Sequence, residues 1–301
     1  MGVRGLCCAV RVRNRFIVID PGVALGYTRH GLPPHPFQVY VGKKVKQKIL
    51  NRLKNATDII ISHFHGDHIP LKNPNPYQLN LNKVRIKHNT HFWCKGIDNS
   101  SSSIMERYKD LSEIFKLNSN PPATQEEENG KMMSFSRPVL HGEPAVNLGT
   151  VMMTCIRDKN NIFVHASDMQ LLDKRAISQI LRWHPDIVLV SGPSLYLDKL
   201  SLELRKLAKE NAIKLAEEIK TLIIDHHLLC SEEGYKWLKD IDSKTKNRVI
   251  CAAEYMGSKR LMFEAWRKKL YKKMPVKKEW HKAYAKGEAN TKSYRRLKNY
   301  Y

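Results

Sequence analysis

The stretch Asp58-Ile59-Ile60-Ile61-Ser62-His63-Phe64-His65-Gly66-Asp67-His68 decides the reading of this chain. A short apolar run stops abruptly in histidines, the pattern of a buried strand whose end carries polar residues into a loop. Thirteen His and thirteen Asp in 301 residues would produce HxHxDH by chance about once in a thousand such chains. On an extended backbone His63 and His65 point the same way and can share one metal ion. The turn at Gly66 then offers Asp67 and His68 to a second ion. Imidazole with carboxylate suits zinc, and paired borderline metals run hydrolysis through a bridging hydroxide.

Later strand-like segments supply further ligands. His141 ends Arg137-Pro138-Val139-Leu140-His141, Asp168 ends 161–168, and His226-His227 end Thr221-Leu222-Ile223-Ile224-Asp225. Any one of these alone is commonly a buried, hydrogen-bonded polar residue. Four polar strand ends in order after HxHxDH make a metal centre the better reading.

Upstream, 16–20 is a strand closed by Pro21-Gly22, and 26–36 reads as a surface loop. An amphipathic helix is expected over 43–55, with Val45, Ile49 and Leu53 on one face. Downstream, a helix is expected over 105–117 and an exposed loop over 118–131. Three strand-like runs occupy 134–143, 150–157 and 161–168, the last two joined by a hairpin at Asp158-Lys159-Asn160-Asn161. A strand at 186–192, a helix at 199–220 and a strand at 221–227 form a βαβ unit. A further helix is expected over 258–274, with Met262, Trp266, Leu270 and Met274 at helical spacing. The organisation expected is a hydrolase domain over 1–257 and a basic helical extension over 258–301.

With these residues in place, the sequence resembles the metallo-β-lactamase superfamily across about 20–230. That family's pattern runs Asp20, His63 to His68, His141, Asp168, and His226 or His227. Ile19-Asp20-Pro21-Gly22, His63-Phe64-His65-Gly66-Asp67-His68, Ala166-Ser167-Asp168 and Ile223-Ile224-Asp225-His226-His227 resemble more closely an uncharacterised archaeal group of predicted metallo-hydrolases within it. The resemblance implies a four-layer αβ/βα sandwich of two mixed sheets and a two-zinc enzyme, manganese or iron being alternatives; a cytoplasmic location is read separately, from the lack of a membrane-length apolar run and of a secretory h-region. It implies His63, His65 and His141 on one ion, Asp67, His68 and the final His on the other, Asp168 bridging, and Asp20 orienting the cluster from outside. Asp67 would also orient or deprotonate the hydroxide. Neighbours on a strand face opposite ways, so only one of His226 and His227 is expected to reach the metal. His226 is favoured because Ile223-Ile224-Asp225-His226 aligns with Ile60-Ile61-Ser62-His63; His227 would otherwise be the ligand or a proton donor to substrate. His165 reads as a core histidine, with a role in the site the alternative.

Composition bears on the substrate. The chain is 42% hydrophobic and 27% charged, enough for one sizeable core, which excludes a disordered or fibrous chain. Mean hydropathy is −0.48, and no apolar run or signal-like segment points to a membrane or to export. Six cysteines without a CxxC pair read as reduced thiols. The net charge of +23 is uneven: 1–60 hold 11 basic and 2 acidic residues, and 261–301 hold 13 and 3. Such ends attract polyanions, so the favoured substrate is a phosphodiester, RNA or DNA included. Trp266, Tyr271, Trp280, Tyr284, Tyr294, Tyr300 and Tyr301 could stack on bases or pack a terminal helix onto the core. The large insertion that some nucleases of the superfamily carry between the Asp and the final His is absent, since one helix and two strands fill that interval. Space for substrate would then come from 23–42 and 70–131. The alternatives are a small thioester, lactone or phosphodiester substrate, and a non-catalytic nucleic-acid-binding protein that retains the fold. Composition carries no signal for oligomeric state.

Overall fold

The structure, a computed structural model, describes residues 2–97, 101–115, 132–143 and 148–300. The expected loop at 118–131 lies outside the described residues. Four strands, β1 (Cys8–Val12), β2 (Arg15–Ile19), β3 (Asp58–Ile61) and β4 (His91–Cys94), form one sheet in that order. Its first pair is antiparallel and the other two are parallel. Then come β5 (Met133–Phe135), β6 (Val139–Leu140), β7 (Thr150–Val151), β8 (Thr154–Asp158), β9 (Asn161–Ser167), β10 (Ile187–Val190), β11 (Thr221–Ile224) and β12 (Arg248–Ile250). The second sheet is ordered β12-β11-β10-β9-β8-β5, and β6 pairs with β7 apart from it. Strands β9 to β12 run parallel, while β8 is antiparallel to both β9 and β5.

Helices α1 (Pro36–Leu53) and α2 (Ser102–Phe115) cover the first sheet; α3 (Lys174–Arg182), α4 (Leu202–Glu218) and α5 (Glu232–Asp242) cover the second. Alternation along each strand makes the layers. Phe16, Val18, Ile59 and Ile61 pack outward on Ile49 and Leu53 of α1. Ile17, Ile19 and Ile60 face inward and meet Phe135, Met152 and Ile156 between the sheets. Val188, Val190, Leu222 and Ile224 pack on the helices of the other side. The result is the α/β sandwich of two mixed sheets between helices.

Some local expectations are corrected. Helix α1 begins at Pro36, earlier than its lysine-rich half suggests, because the Phe37 N–H donates to Nδ1 of His35 at 3.1 Å and proline suits a first helical position. The interval between Asp168 and His226 holds two helices, since Asp173 caps α3 by accepting from Arg175 N–H. The continuous helix expected over 258–274 is absent. Short helices α6 (Ala252–Tyr255), α7 (Arg267–Lys273) and α8 (Trp280–Ala285) flank an irregular stretch held by buried charges. Arg4 pairs with Glu264 at 2.5 Å, and the fully buried Arg267 donates to the carbonyls of Gly26 at 2.7 Å and Leu32 at 2.9 Å. These bonds hold the C-terminal segment on the loop before α1. Trp280 and Tyr294 are buried in the same cluster as Leu25 and Phe37, and Tyr284 stacks on Trp280. Trp280 and Tyr294 therefore pack the core and offer no face to bases; the Tyr300 and Tyr301 side chains lie outside the described residues.

His35 ties α1 to this segment through Nε2, 2.9 Å from the Met274 carbonyl. Burial pushes its pKa from 6.5 down to about 4, against the Met274 carbonyl and with the help of His281 and Arg267. A folded pKa below the unfolded one means that the unfolded chain binds more protons between the two values. The stability contribution is thus complete above pH 6.5 and is lost as pH falls towards 4. Relative to His35→Asn, the wild type is expected to lose about 2 kcal/mol more between pH 7 and pH 4.5 in paired thermal melts. Parallel melting curves across that range would refute this.

Candidate metal centre

Five strand ends converge on one side of the sandwich. Strand β2 delivers Asp20, β3 delivers Ser62 and His63, β6 delivers His141, β9 delivers Ser167 and Asp168, and β11 delivers Asp225, His226 and His227. Asp20, Ser167 and His226 have φ of 47°, 51° and 53°. Such left-handed backbone costs a non-glycine residue about 1 kcal/mol or more, and it recurs at functional sites. The motif loop is closed by the His68 and Ile69 N–H groups, which both donate to the His65 carbonyl, and Arg107 of α2 donates to Phe64 O at 2.8 Å.

The side chains form overlapping sets in which all donor atoms lie within 4.8 Å of one another: His63, His65 and His141; Asp67, His68 and His226; His141, Asp168 and His227; and Asp20, His63 and His68. Oδ2 of Asp168 is the hub. It lies 2.9 Å from Nε2 of His227, 3.1 Å from Nε2 of His68, 3.4 Å from Nε2 of His141 and 3.5 Å from Nε2 of His226. Asp67 reaches His226 Nε2 at 3.3 Å. His226 and His227 both enter the cluster, their rings 4.1 Å apart. The opposite-faces expectation fails because β11 ends at Ile224. The positive φ of His226 and the helical φ of His227 then turn both rings the same way. His165 is fully buried with Nε2 2.9 Å from the Leu6 carbonyl, and belongs to none of the four sets.

Around the cluster sits a network centred on Asp20, the residue expected outside the cluster, joined by the Ser62 and Ser167 hydroxyls, which the sequence did not reveal. Asp20 accepts from Ser62 N–H at 2.7 Å, from Ser62 Oγ at 2.6 Å and from Ser167 Oγ at 3.2 Å, and contacts His68 Nδ1 at 2.9 Å. Ser62 Oγ also lies 2.9 Å from His63 Nδ1. Each bond engages Nδ1 and leaves Nε2 facing the cluster. Serine is too common at strand ends to carry a sequence signal.

No family model matches the chain. A UPF0282 protein of Methanosarcina mazei is 47% identical over 293 residues, spanning 97% of this chain and 96% of its own. Another from Pyrococcus abyssi is 32% identical over 284 residues, 90% of each chain. The chain belongs to the UPF0282 family. Among solved structures, a CmlA β-hydroxylase mutant covers 83% of this chain at 14% identity with a TM-score of 0.47, and this chain spans 51% of that protein. A metal-dependent hydrolase of the β-lactamase superfamily, Tm1679, covers 82% of this chain and 94% of its own at 14% identity with a TM-score of 0.43. AidC, a dizinc quorum-quenching lactonase, covers 73% and 71% at 14% identity with a TM-score of 0.37.

In this UPF0282 protein the donor set fits divalent ions on its own chemistry. His63 Nε2, His68 Nε2, His226 Nε2, both ring nitrogens of His141 and Asp168 Oδ1 are buried without a hydrogen-bond partner among the described residues. Buried polar atoms are normally satisfied, and a cluster of orphaned imidazole nitrogens around carboxylates is what coordinated cations would satisfy. Burial and the neighbouring imidazoles hold His63 well below its ordinary pKa and His65 down at about 4, as neutral ligands must be. Burial opposes ionisation of Asp67, yet His226 and His68 keep it well below the carboxylate range. Burial also opposes a charge on His68, but Asp168 and Asp20 at its two nitrogens raise it well above 6.5. The Gly5 N–H faces Nδ1 of His226 at 3.2 Å, so the proton of that neutral ring sits on Nε2; an ion bound at Nε2 would require it to move to Nδ1, at the expense of the Gly5 bond.

Proposed function

We propose that this protein is a binuclear metal-dependent hydrolase of the metallo-β-lactamase superfamily, with zinc the first candidate and a phosphodiester the favoured substrate. The observation that carries the reading is the convergence of six imidazoles with Asp67 and Asp168 in one largely buried cluster, in which Nε2 of His63, His68, His141 and His226 has no hydrogen-bond partner among the described residues. His63, His65 and His141 would hold one ion, Asp67, His68 and His226 the other, with Asp168 between them. Bound there, the ions supply Lewis acidity that activates water and stabilises the developing oxyanion and leaving group. The chain's own part is to orient and to manage protons. Asp67, ionised and with its side chain 20% exposed, can take a proton from the attacking water. Ser62 and Asp20 fix the ring angles of His63 and His68. His227, kept neutral by burial, donates from Nε2 to Asp168 and steadies it.

The excess charge at the chain ends supports a phosphodiester. The compact interval between Asp168 and His226, filled by α3, β10, α4 and β11, favours the second reading of a small thioester, lactone or phosphodiester metabolite. The test is metal analysis of the purified protein followed by a screen of bis-p-nitrophenyl phosphate, thioesters and lactones, with Asp67→Ala as blank. Two ions and metal-dependent phosphodiester cleavage are expected. Cleavage of thioesters or lactones alone would transfer the assignment to the second reading, and a metal-free inert protein would refute hydrolysis. His226→Ala is expected to lose one ion and about a hundredfold in kcat/KM, whereas His227→Ala keeps both ions and loses about tenfold. The reverse pattern in metal analysis would make His227 the ligand.

A further inference from the structure

The two basic ends of the chain meet on one face. A hollow of about 650 Å³ is lined by Lys43, Lys46 and Lys83 together with Tyr284 and Asn290. A second, of about 380 Å³, shares Lys43, Gln47 and Asn290 with it and adds Lys44, Lys292 and Arg295. Helix α1 forms one wall of both and the C-terminal segment forms the other. No acidic side chain lines either hollow, and none of these six cations has a carboxylate partner among the described residues. Three of them lie over aromatic rings instead. Lys44 and Arg295 lie 4.6 Å and 5.2 Å from the centre of the Tyr40 ring, and Lys43 lies 5.0 Å from that of Tyr284. Lys46, which donates to the carbonyls of Pro76 and Gln78, is pushed down to about 8 by burial and by Lys83 and Lys43.

We propose that this double hollow is a docking groove for a single strand of nucleic acid, held through its phosphates. Six cations with no carboxylate partner among the described residues, set in a concave track, suit a linear polyanion, whose release of condensed counterions drives binding. A membrane surface fits less well. It wants apolar side chains to insert, and among the described residues no exposed large hydrophobic side chain lines the groove. The inference stands apart from the hydrolytic reading, because the groove is built from residues outside the metal cluster.

The experiment uses the metal-loaded protein and a fluorescein-labelled oligothymidylate about 20 nucleotides long, a length that spans one strand-binding site. Initial anisotropy, taken before any cleavage, reads binding alone. The variant Lys43→Ala/Lys44→Ala/Lys83→Ala/Arg295→Ala is expected to bind at least about twentyfold more weakly. Its log affinity against log salt should be shallower by about 3, near 0.7 for each phosphate that is no longer neutralised. A control of equal charge change, Lys87→Ala/Lys199→Ala/Lys206→Ala/Lys214→Ala, should stay within about threefold. A charge-keeping variant, with arginine at the three lysine sites and lysine at 295, should retain affinity, which separates loss of charge from loss of fold. Equal losses in the groove and control variants, no loss in the groove variant, or binding to phosphatidylglycerol vesicles without binding to the oligonucleotide would each overturn the proposal.

Discussion

Replacing Asp168 with asparagine is expected to lower metal-dependent hydrolysis at least about a thousandfold, some 4 kcal/mol of transition-state stabilisation, and to cut bound metal from two ions to at most one. The reason is geometric. Oδ2 of Asp168 lies within 3.5 Å of Nε2 of His141, from one proposed ligand set, of His68 and His226, from the other, and of His227. Burial opposes ionisation of Asp168, yet His68, His226 and His227 hold it well below the carboxylate range. A neutral amide of the same shape keeps the packing and removes the charge that joins the halves. Metal analysis and initial rates on one preparation decide it. Two ions retained with near-normal rates would remove Asp168 from the bridging role.

The second large effect falls on a residue that binds nothing. An alanine Cβ at Gly22 would overlap the backbone nitrogen of Ile69 and the backbone of His68. Neither can give way, because the His68 and Ile69 N–H groups are both committed to the His65 carbonyl. The turn after β2 and the motif loop would have to part, taking His68 away from Asp20 and Asp168. Gly22→Ala is therefore expected to cost about 3 kcal/mol or more, seen as a fall of roughly 5 °C or more in Tm, and to lose the ion assigned to Asp67, His68 and His226. At Gly142 the nearest atoms to an added Cβ belong to the Gln170 side-chain amide, the end of a flexible side chain held by one long bond from Ser194 Oγ, rather than to backbone. Gly142→Ala should cost about 1 kcal/mol for its positive φ and leave metal content at two. Equal behaviour of the two variants would refute the packing argument.

The residue types of the candidate site were legible because each ligand follows a short apolar run, a contrast visible without knowing the neighbours. The hairpin at 158–161 was legible for a similar local reason, since Asp158 pairs with Asn161 around Lys159 at φ 52°. Helix α3 was missed because its cap and first turn follow closely on the Asp168 loop and its apolar stripe is short. The helix expected over 258–274 was wrong because Glu264 and Arg267 bond to Arg4 and to the carbonyls of 26–32, partners more than 200 residues away. The core role of Trp280 and Tyr294 was one of two open readings, and only their neighbours could choose between them.

The sequence by itself determined the donor chemistry, its order along the chain, the alternation that builds two sheets, and the excess of positive charge at the ends. Those properties reside in residue types and short spacings. Tertiary structure alone decided that His226 and His227 both reach Asp168, that Ser62, Ser167 and Gly5 set the imidazole orientations, that Gly22 lies against the motif loop, and that Lys43 and Arg295 share one groove. Each of these depends on contacts between segments distant in the chain, where packing of whole layers, rather than any local period, sets which atoms meet.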